Sequence, residues 1–236
     1  MGAYKRVDFN ERDKQILYLL YKHRYADFTG LNILNPVNIT LYQRLEKLIK
    51  FGYVKKIAAG NIKMPVYTIT KQGQHWLAQN IPQEFDKPVL SKIKTSSMYN
   101  FNHHLEIAKI GAMLTIRNIG YEIDLTVKKA YPELKIIPDI VIQKDGGFYG
   151  FEIELEYKKV LQYAKKLSQL QTSKDIKKLI YLTAGNTETL QNKIMGIDKY
   201  ENGQSIDERI IFNKTKQKIS YVKLDEFTQD IDKYLS

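Results

Sequence analysis

The 236-residue chain has no cysteine, which excludes a disulfide framework and a thiolate zinc site. No apolar run approaches the roughly 18–20 residues of a membrane span, and the N-terminus is charged from Lys5 onward, so no signal peptide and a cytoplasmic location are expected. The net charge of +11 is uneven: Lys and Arg outnumber Asp and Glu 16 to 7 over residues 1–100, but only 21 to 19 thereafter. A positive field confined to the N-terminal part points to a phosphate-backbone partner.

Residues 10–24 place Ile16, Leu17, Leu19, Leu20 and Tyr21 on a helical face, with Asn10 as N-cap and Asp13 three residues on. A short segment, residues 29–34, is bounded by Asn35-Pro36. Residues 39–50 read as a helix whose buried stripe is Leu41, Leu45, Leu48 and Ile49. Thr40, Tyr42, Gln43, Arg44 and Lys47 stay outside that stripe, and Gly52 closes the helix. Residues 53–57 and 66–70 alternate like strands around an Ala59-Gly60-Asn61 turn, a basic hairpin with Lys55, Lys56 and Lys63. Thr70 then caps a helix through Trp76 and Leu77.

Three helices, a hairpin and a further helix resemble a winged helix-turn-helix, most specifically at "LIKFGYVKKI…VYTITKQGQHWL". The resemblance implies double-stranded DNA as partner. Thr40, Tyr42, Gln43, Arg44 and Lys47 are then expected in the major groove, and Lys55, Lys56 and Lys63 on flanking phosphates. Such a module also serves dimerisation, but the local charge and the exposed polar face favour DNA. Residues 1–80 make this domain, and residues 81–100, with Pro82 and Pro88, a linker.

A second domain is expected over residues 101–236. Residues 102–118 form an apolar helix ended by Gly120, and residues 121–127 alternate as a strand. A buried strand follows at 135–142, a hairpin turn at Lys144-Asp145-Gly146-Gly147, and a third strand at 148–157. Then come a helix at 160–172 and a strand at 177–183, apolar on both faces and so central. Weaker elements are a helix near 187–194, short strands near 210–212 and 219–222, and a terminal helix from Leu224. The whole reads as a two-domain α+β protein with a mixed central sheet.

Two features of the second domain carry chemistry. Pro138-Asp139 lies inside an apolar strand, and Phe151-Glu152-Ile153-Glu154-Leu155-Glu156 alternates apolar with acidic. Period two puts Glu152, Glu154 and Glu156 on one face, and the hairpin brings Asp139 near them. Like charges so close repel, and a hard divalent cation, Mg2+ or Mn2+, relieves that repulsion. Such a cation beside a phosphodiester supplies a Lewis acid and an activated water. The rival reading is an acidic surface strand facing solvent.

The αβββαβ order with Pro138-Asp139 and Glu152 resembles the PD-(D/E)xK nuclease superfamily, over about residues 102–183. Asp139, Glu152 and Glu154 are then the metal ligands. The family's usual lysine is replaced by Glu154, so the resemblance implies a lysine from the next helix, Lys165 or Lys166, ahead of Lys158 and Lys159. "HHLEIA", "IPDIVI" and "FEIELE" after a winged helix also resemble the plasmid replication-relaxation family, which includes relaxases of the MOBC class. That resemblance adds His104, or His103, with Glu106, to the candidate site. It implies a nicking endonuclease acting on plasmid DNA at an origin, in mobilisation or replication, with accessory mobilisation proteins as partners. A non-catalytic replication or transcription regulator is the alternative, and a restriction endonuclease a third. A covalent tyrosine mechanism ranks below these, because adjacent His103-His104 splay apart rather than form a ligand pair.

Overall fold

The computed structural model describes residues 8–34, 38–57, 65–81, 98–173, 175–195 and 217–235. Among the described residues the fold is α+β, with ten helices and two sheets, one antiparallel and one mixed. The chain divides into two compact units, residues 1–118 and 119–236. No helix among the described residues is long and apolar enough to cross a membrane.

In the first unit, helix α1 (Glu11–His23) starts at a reciprocal capping box: Asp13 N donates to Asn10 Oδ1 and Asn10 N to Asp13 Oδ2, each at 3.0 Å. Strand β1 (Tyr25–Asp27) and helix α2 (Phe28–Leu34) follow, then helix α3 (Asn38–Lys50). Gly52, at φ +77°, ends α3, because a left-handed C′ residue lets the chain turn at once into strand β2 (Val54–Ile57). Strand β3 (Val66–Ile69) leads to helix α4 (Lys71–Asn80), whose N-cap Thr70 accepts from Gly73 N at 3.1 Å. The sheet order is β1-β3-β2, all antiparallel. The sequence reading contains no strand at β1, which is only three residues long. Lys63, the 59–61 turn, Asn35-Pro36 and all but the ends of the proposed linker lie outside the described residues.

Helix α5 (Met98–Ile116) corrects the expected boundary at residue 101. It belongs to the first unit, not to the second. Its Ala108 and Ala112 join the core of Ile16, Leu20, Leu31, Leu45 and Leu77, and Phe101 and Leu105 pack with Tyr25 and Val66. Sequence periodicity identifies such a helix but cannot say which core takes it, because it is apolar on most of its surface.

The second unit holds a five-stranded sheet in the order β4-β5-β6-β7-β8: β4 (Glu122–Ile123), β5 (Ile140–Lys144), β6 (Gly147–Glu154), β7 (Ile176–Thr183) and β8 (Ile219–Lys223). β4, β5 and β6 pair antiparallel, β6, β7 and β8 parallel. The β5–β6 turn has Asp145 at φ +51° and Gly146 at φ +68°, the double positive φ of a tight hairpin. The expected strand over 121–127 shrinks to two residues, because Asp124–Ala130 forms helix α6, where Thr126 Oγ1 accepts from Ile123 N at 3.2 Å. The expected strand over 135–142 begins only at Ile140, since proline cannot donate to a ladder. The central position falls to β6 rather than β7, though both are interior. Helix α7 (Val160–Thr172) crosses over between β6 and β7. Helix α8 (Thr187–Met195) adds Leu190 and Ile194 to the core under α7. Helices α9 (Leu224–Gln229) and α10 (Ile231–Leu235) cap the chain, and Phe227 lies 5.5 Å ring to ring from Phe151. The strand expected near 210–212 lies outside the described residues.

Candidate functional site

The acidic strand is not an exposed edge. β6 is the middle strand of five, and Glu152 and Glu154 are 0 % and 1 % exposed. Alternation sends Phe151 and Ile153 to one face and the two carboxylates to the other, which α7 covers. Glu156 lies beyond the end of β6 and is exposed, which corrects its placement beside them.

Two buried carboxylates need partners, because an isolated charge in a low-dielectric interior is very costly. Lysines provide them. Lys166, from α7, pairs with Glu152 Oε1 and reaches Ile137 O at 3.5 Å. Lys158, from the segment before α7, donates to Glu154 Oε1 at 2.6 Å. Tyr163 adds a weak contact to Glu154 Oε2 at 3.5 Å, while its hydroxyl accepts from Lys158 N at 2.9 Å. Asp139 stands just before β5, next to the Ile140–Phe151 register pair, and its Oδ2 accepts from Ile153 N at 2.8 Å.

Gly150 makes this placement of Asp139 possible. A Cβ there would lie 2.6 Å from Pro138 Cγ, so only glycine lets Pro138 lie flat against β6. The Pro-Asp pair is thereby held against the strand that carries Glu152.

Glu152 Oε2 is buried and has no hydrogen-bond partner. Burial first, and Asp139 in addition, push the Glu152 carboxyl up to about 7 against the pull of Lys166. Glu154 is also raised, by burial above all, with Lys158 opposing. Lys158 is raised: burial alone would lower it, but Glu154, Glu152 and Asp139 together outweigh that. The hydroxyls of Tyr163 and Tyr181 are raised by burial and by the neighbouring glutamates.

The expected site is thus partly assembled. Asp139, Glu152, Glu154 and Lys166 come together within the second unit. Lys165 is exposed, one position off the face that Lys166 uses, and takes no part. Lys158, ranked behind it from the sequence, does take part. His104 belongs to the first unit, where its ring lies 6.1 Å from the Tyr25 ring and 5.8 Å from that of His103. Among the described residues no three His, Asp or Glu side chains converge closely enough to hold a metal ion. The physical reason is the two lysines, each of which holds one glutamate oxygen. Their donors are carboxylate oxygens, the kind a hard divalent cation takes, and one of them, Glu152 Oε2, is buried without a partner, but as placed they form no metal-binding group. Sequence reasoning missed Gly150, Tyr163 and Tyr181. The glycine two residues before Glu152 was the one available signal.

On the first unit, α3 presents Tyr42, 53 % exposed, with Gln43 exposed and Thr40 and Lys47 half-buried. Arg44 is withdrawn from that face. Its Nε donates to Asp13 Oδ1 at 2.8 Å, and its Nη2 pairs with Asp13 Oδ2 and donates to Asp8 O at 3.1 Å. Asp13 is fully buried, so Arg44 ties α3 to α1 rather than offering its guanidinium to DNA. Lys56 pairs with Glu46 at 2.7 Å and sits 5.9 Å from the Tyr42 ring, while Lys55 is exposed. Comparison with protein-family models, curated proteins and solved structures gives no match.

Proposed function

We propose that this protein is a DNA-binding, divalent-metal-dependent endonuclease that nicks plasmid DNA at an origin, in mobilisation or replication. The observation that carries the proposal is Glu152: a fully buried carboxylate on the central strand, with one oxygen on Lys166 and the other unpartnered. Buried acid–base groups with displaced proton affinities, beside a second and third carboxylate, are a costly arrangement that fold stability alone does not call for.

Asp139, Glu152 and Glu154 are the residues that would hold Mg2+ or Mn2+. Such a cation supplies Lewis-acid polarisation of a phosphoryl oxygen and acidifies water. Lys166, already beside Glu152, neutralises charge developing on the cut phosphate. Tyr163 orients the Lys158–Glu154 pair through the Lys158 backbone N–H. The order β1-β3-β2 with α3 packed on α1 supports a winged helix-turn-helix, and the exposed Tyr42, Gln43 and Lys55 support DNA contact. Accessory mobilisation proteins are the partners this reading implies.

A second reading, a non-catalytic plasmid replication or transcription regulator, is favoured by one observation. Both glutamates already carry a lysine, as they would in a site retained only for structure. Nicking of a supercoiled plasmid carrying the replicon's own origin separates the two. The proposal expects nicking in Mg2+ or Mn2+ that vanishes in EDTA and in Asp139→Ala and Glu152→Gln, with DNA binding retained. Undiminished nicking by Glu152→Gln contradicts the catalytic role. Origin binding without nicking selects the regulator.

A further inference from the structure

Helix α3 carries one acidic side chain among its 13 residues, Glu46, in the company of the cations Arg44, Lys47 and Lys50. An acid on a helix read as facing a polyanion needs a reason, because it repels the phosphates of every DNA sequence alike. Its surroundings supply one. Lys56 Nζ, from β2, donates to Glu46 Oε1 at 2.7 Å. Tyr42, one turn earlier on the same face of α3, has its ring centroid 5.9 Å from the same ammonium. Lys56 is thus held by two side chains four residues apart, and its hydrogen bond to Glu46 is the first cause of its raised proton affinity.

The two adjacent lysines of β2 therefore differ. Lys55 is exposed, whereas Lys56 lies on a carboxylate. To an ammonium, a carboxylate oxygen and a phosphate oxygen are the same kind of partner, an anionic acceptor of a charge-assisted hydrogen bond. Glu46 consequently competes with DNA for Lys56 within the chain itself. What it takes away is a contact to the sugar-phosphate backbone, which carries affinity but no sequence information. Weakening that contact lowers sequence-independent binding and so raises the ratio of specific to non-specific binding. An exposed ion pair holds its partners by no more than about fivefold, so this competition tunes binding and does not block it.

We propose that Glu46 is a specificity-determining residue: its carboxylate stands in for a DNA phosphate on Lys56 and withholds that lysine from the backbone of duplex DNA. This rests on the DNA-binding reading given above and deepens it, and it is independent of any nuclease chemistry in the second unit. It also separates the roles of Lys55 and Lys56, with Lys55 alone meeting phosphate while Glu46 is present.

The test is binding of the full chain to a short DNA duplex of arbitrary sequence, read by fluorescence anisotropy across a salt titration from about 50 to 200 mM. The Lys56 and Glu46 side chains are 44 % and 43 % exposed, so substituting them leaves the core intact. Each phosphate contact contributes about 0.9 to the slope of log affinity against log salt, and Glu46→Gln is expected to steepen the slope by about that much. It should also tighten binding at the low-salt end, by up to about fivefold. Adding Lys56→Gln to Glu46→Gln removes the gain, whereas Lys56→Gln alone moves the slope much less, because that lysine is already on Glu46. An equal slope change for Lys56→Gln with and without Glu46→Gln would overturn the inference, since Lys56 would then meet phosphate regardless of Glu46. So would a slope that Glu46→Gln leaves unmoved; in both cases DNA binding by the wild type stands. If neither wild type nor Glu46→Gln binds the duplex, the DNA reading fails and the inference fails with it.

Discussion

Glu152 and His23 show how the same physical cause acts in opposite directions on acids and bases. His23 is fully buried, and burial first, with Lys22 and His104 adding to it, lowers its proton affinity to about 3. An unfolded chain takes up that proton below about 6.5 while the folded one refuses it, so this residue removes stability as pH falls from about 6.5 toward 3. Glu152 is raised from 4.5 to about 7, so the folded chain holds a proton that the unfolded one releases, and stability is lost as pH rises from about 4.5 to 7. Each slope approaches about 1.4 kcal/mol per pH unit at most. Urea melts at pH steps from 4.5 to 7.5 should therefore show a flatter acid limb in His23→Phe and a flatter neutral limb in Glu152→Gln. Unchanged slopes in both would contradict the burial argument. Gly150→Ala gives a further check at this scale. The added methyl must displace Pro138, so nicking and the thermal midpoint should both fall. Gly120→Ala, where nothing lies within 4 Å, should change neither.

Between elements, the tie that matters most in the first unit is Arg44 to Asp13. Breaking a buried pair by removing one partner strands the other, at about 3–5 kcal/mol. Arg44→Ala should therefore lower the thermal midpoint by several degrees. Lys55→Ala should leave the midpoint unchanged and weaken DNA binding, with a reduced dependence on salt. The reverse pattern would return Arg44 to the groove-facing set. The sequence made most of these elements legible, because each has a local cause: the Asn10 capping box, Gly52 after α3, the Asp145-Gly146 turn, the alternation of β6. It failed where the cause is tertiary. Residues 121–127 alternate like a strand, but Asp124–Ala130 coils into α6 behind a Thr126 cap. Arg44 sits on the outer face of its helix, and only the fold shows Asp13 waiting for it. In the candidate site, Asp139, Glu152 and Glu154 were legible as a set because register and the hairpin determine them. Which lysine meets them was not, since α7's rotation over the sheet separates Lys166 from Lys165.

For the molecule as a whole, the division falls at residue 118, not at the proline-bearing segment, because α5 contributes to the first core. Each large apolar side chain it buries there is worth about 1.5–3 kcal/mol, and Phe101 and Leu105 are buried against Tyr25 and Val66. A 1–118 fragment should melt cooperatively, and a 1–97 fragment should not; cooperative melting of the shorter one would return α5 to the second unit. The excess of positive charge in residues 1–100 then falls within the first unit.

The central claim is that a divalent cation settles among Asp139, Glu152 and Glu154. An anomalous-difference map from crystals soaked in Mn2+ addresses it most directly. The account predicts one peak within about 2.0–2.6 Å of Glu152 Oε2 and of an Asp139 or Glu154 oxygen, with Lys158 drawn away from Glu154. A map without a peak there, with both lysine–glutamate pairs intact, would contradict it.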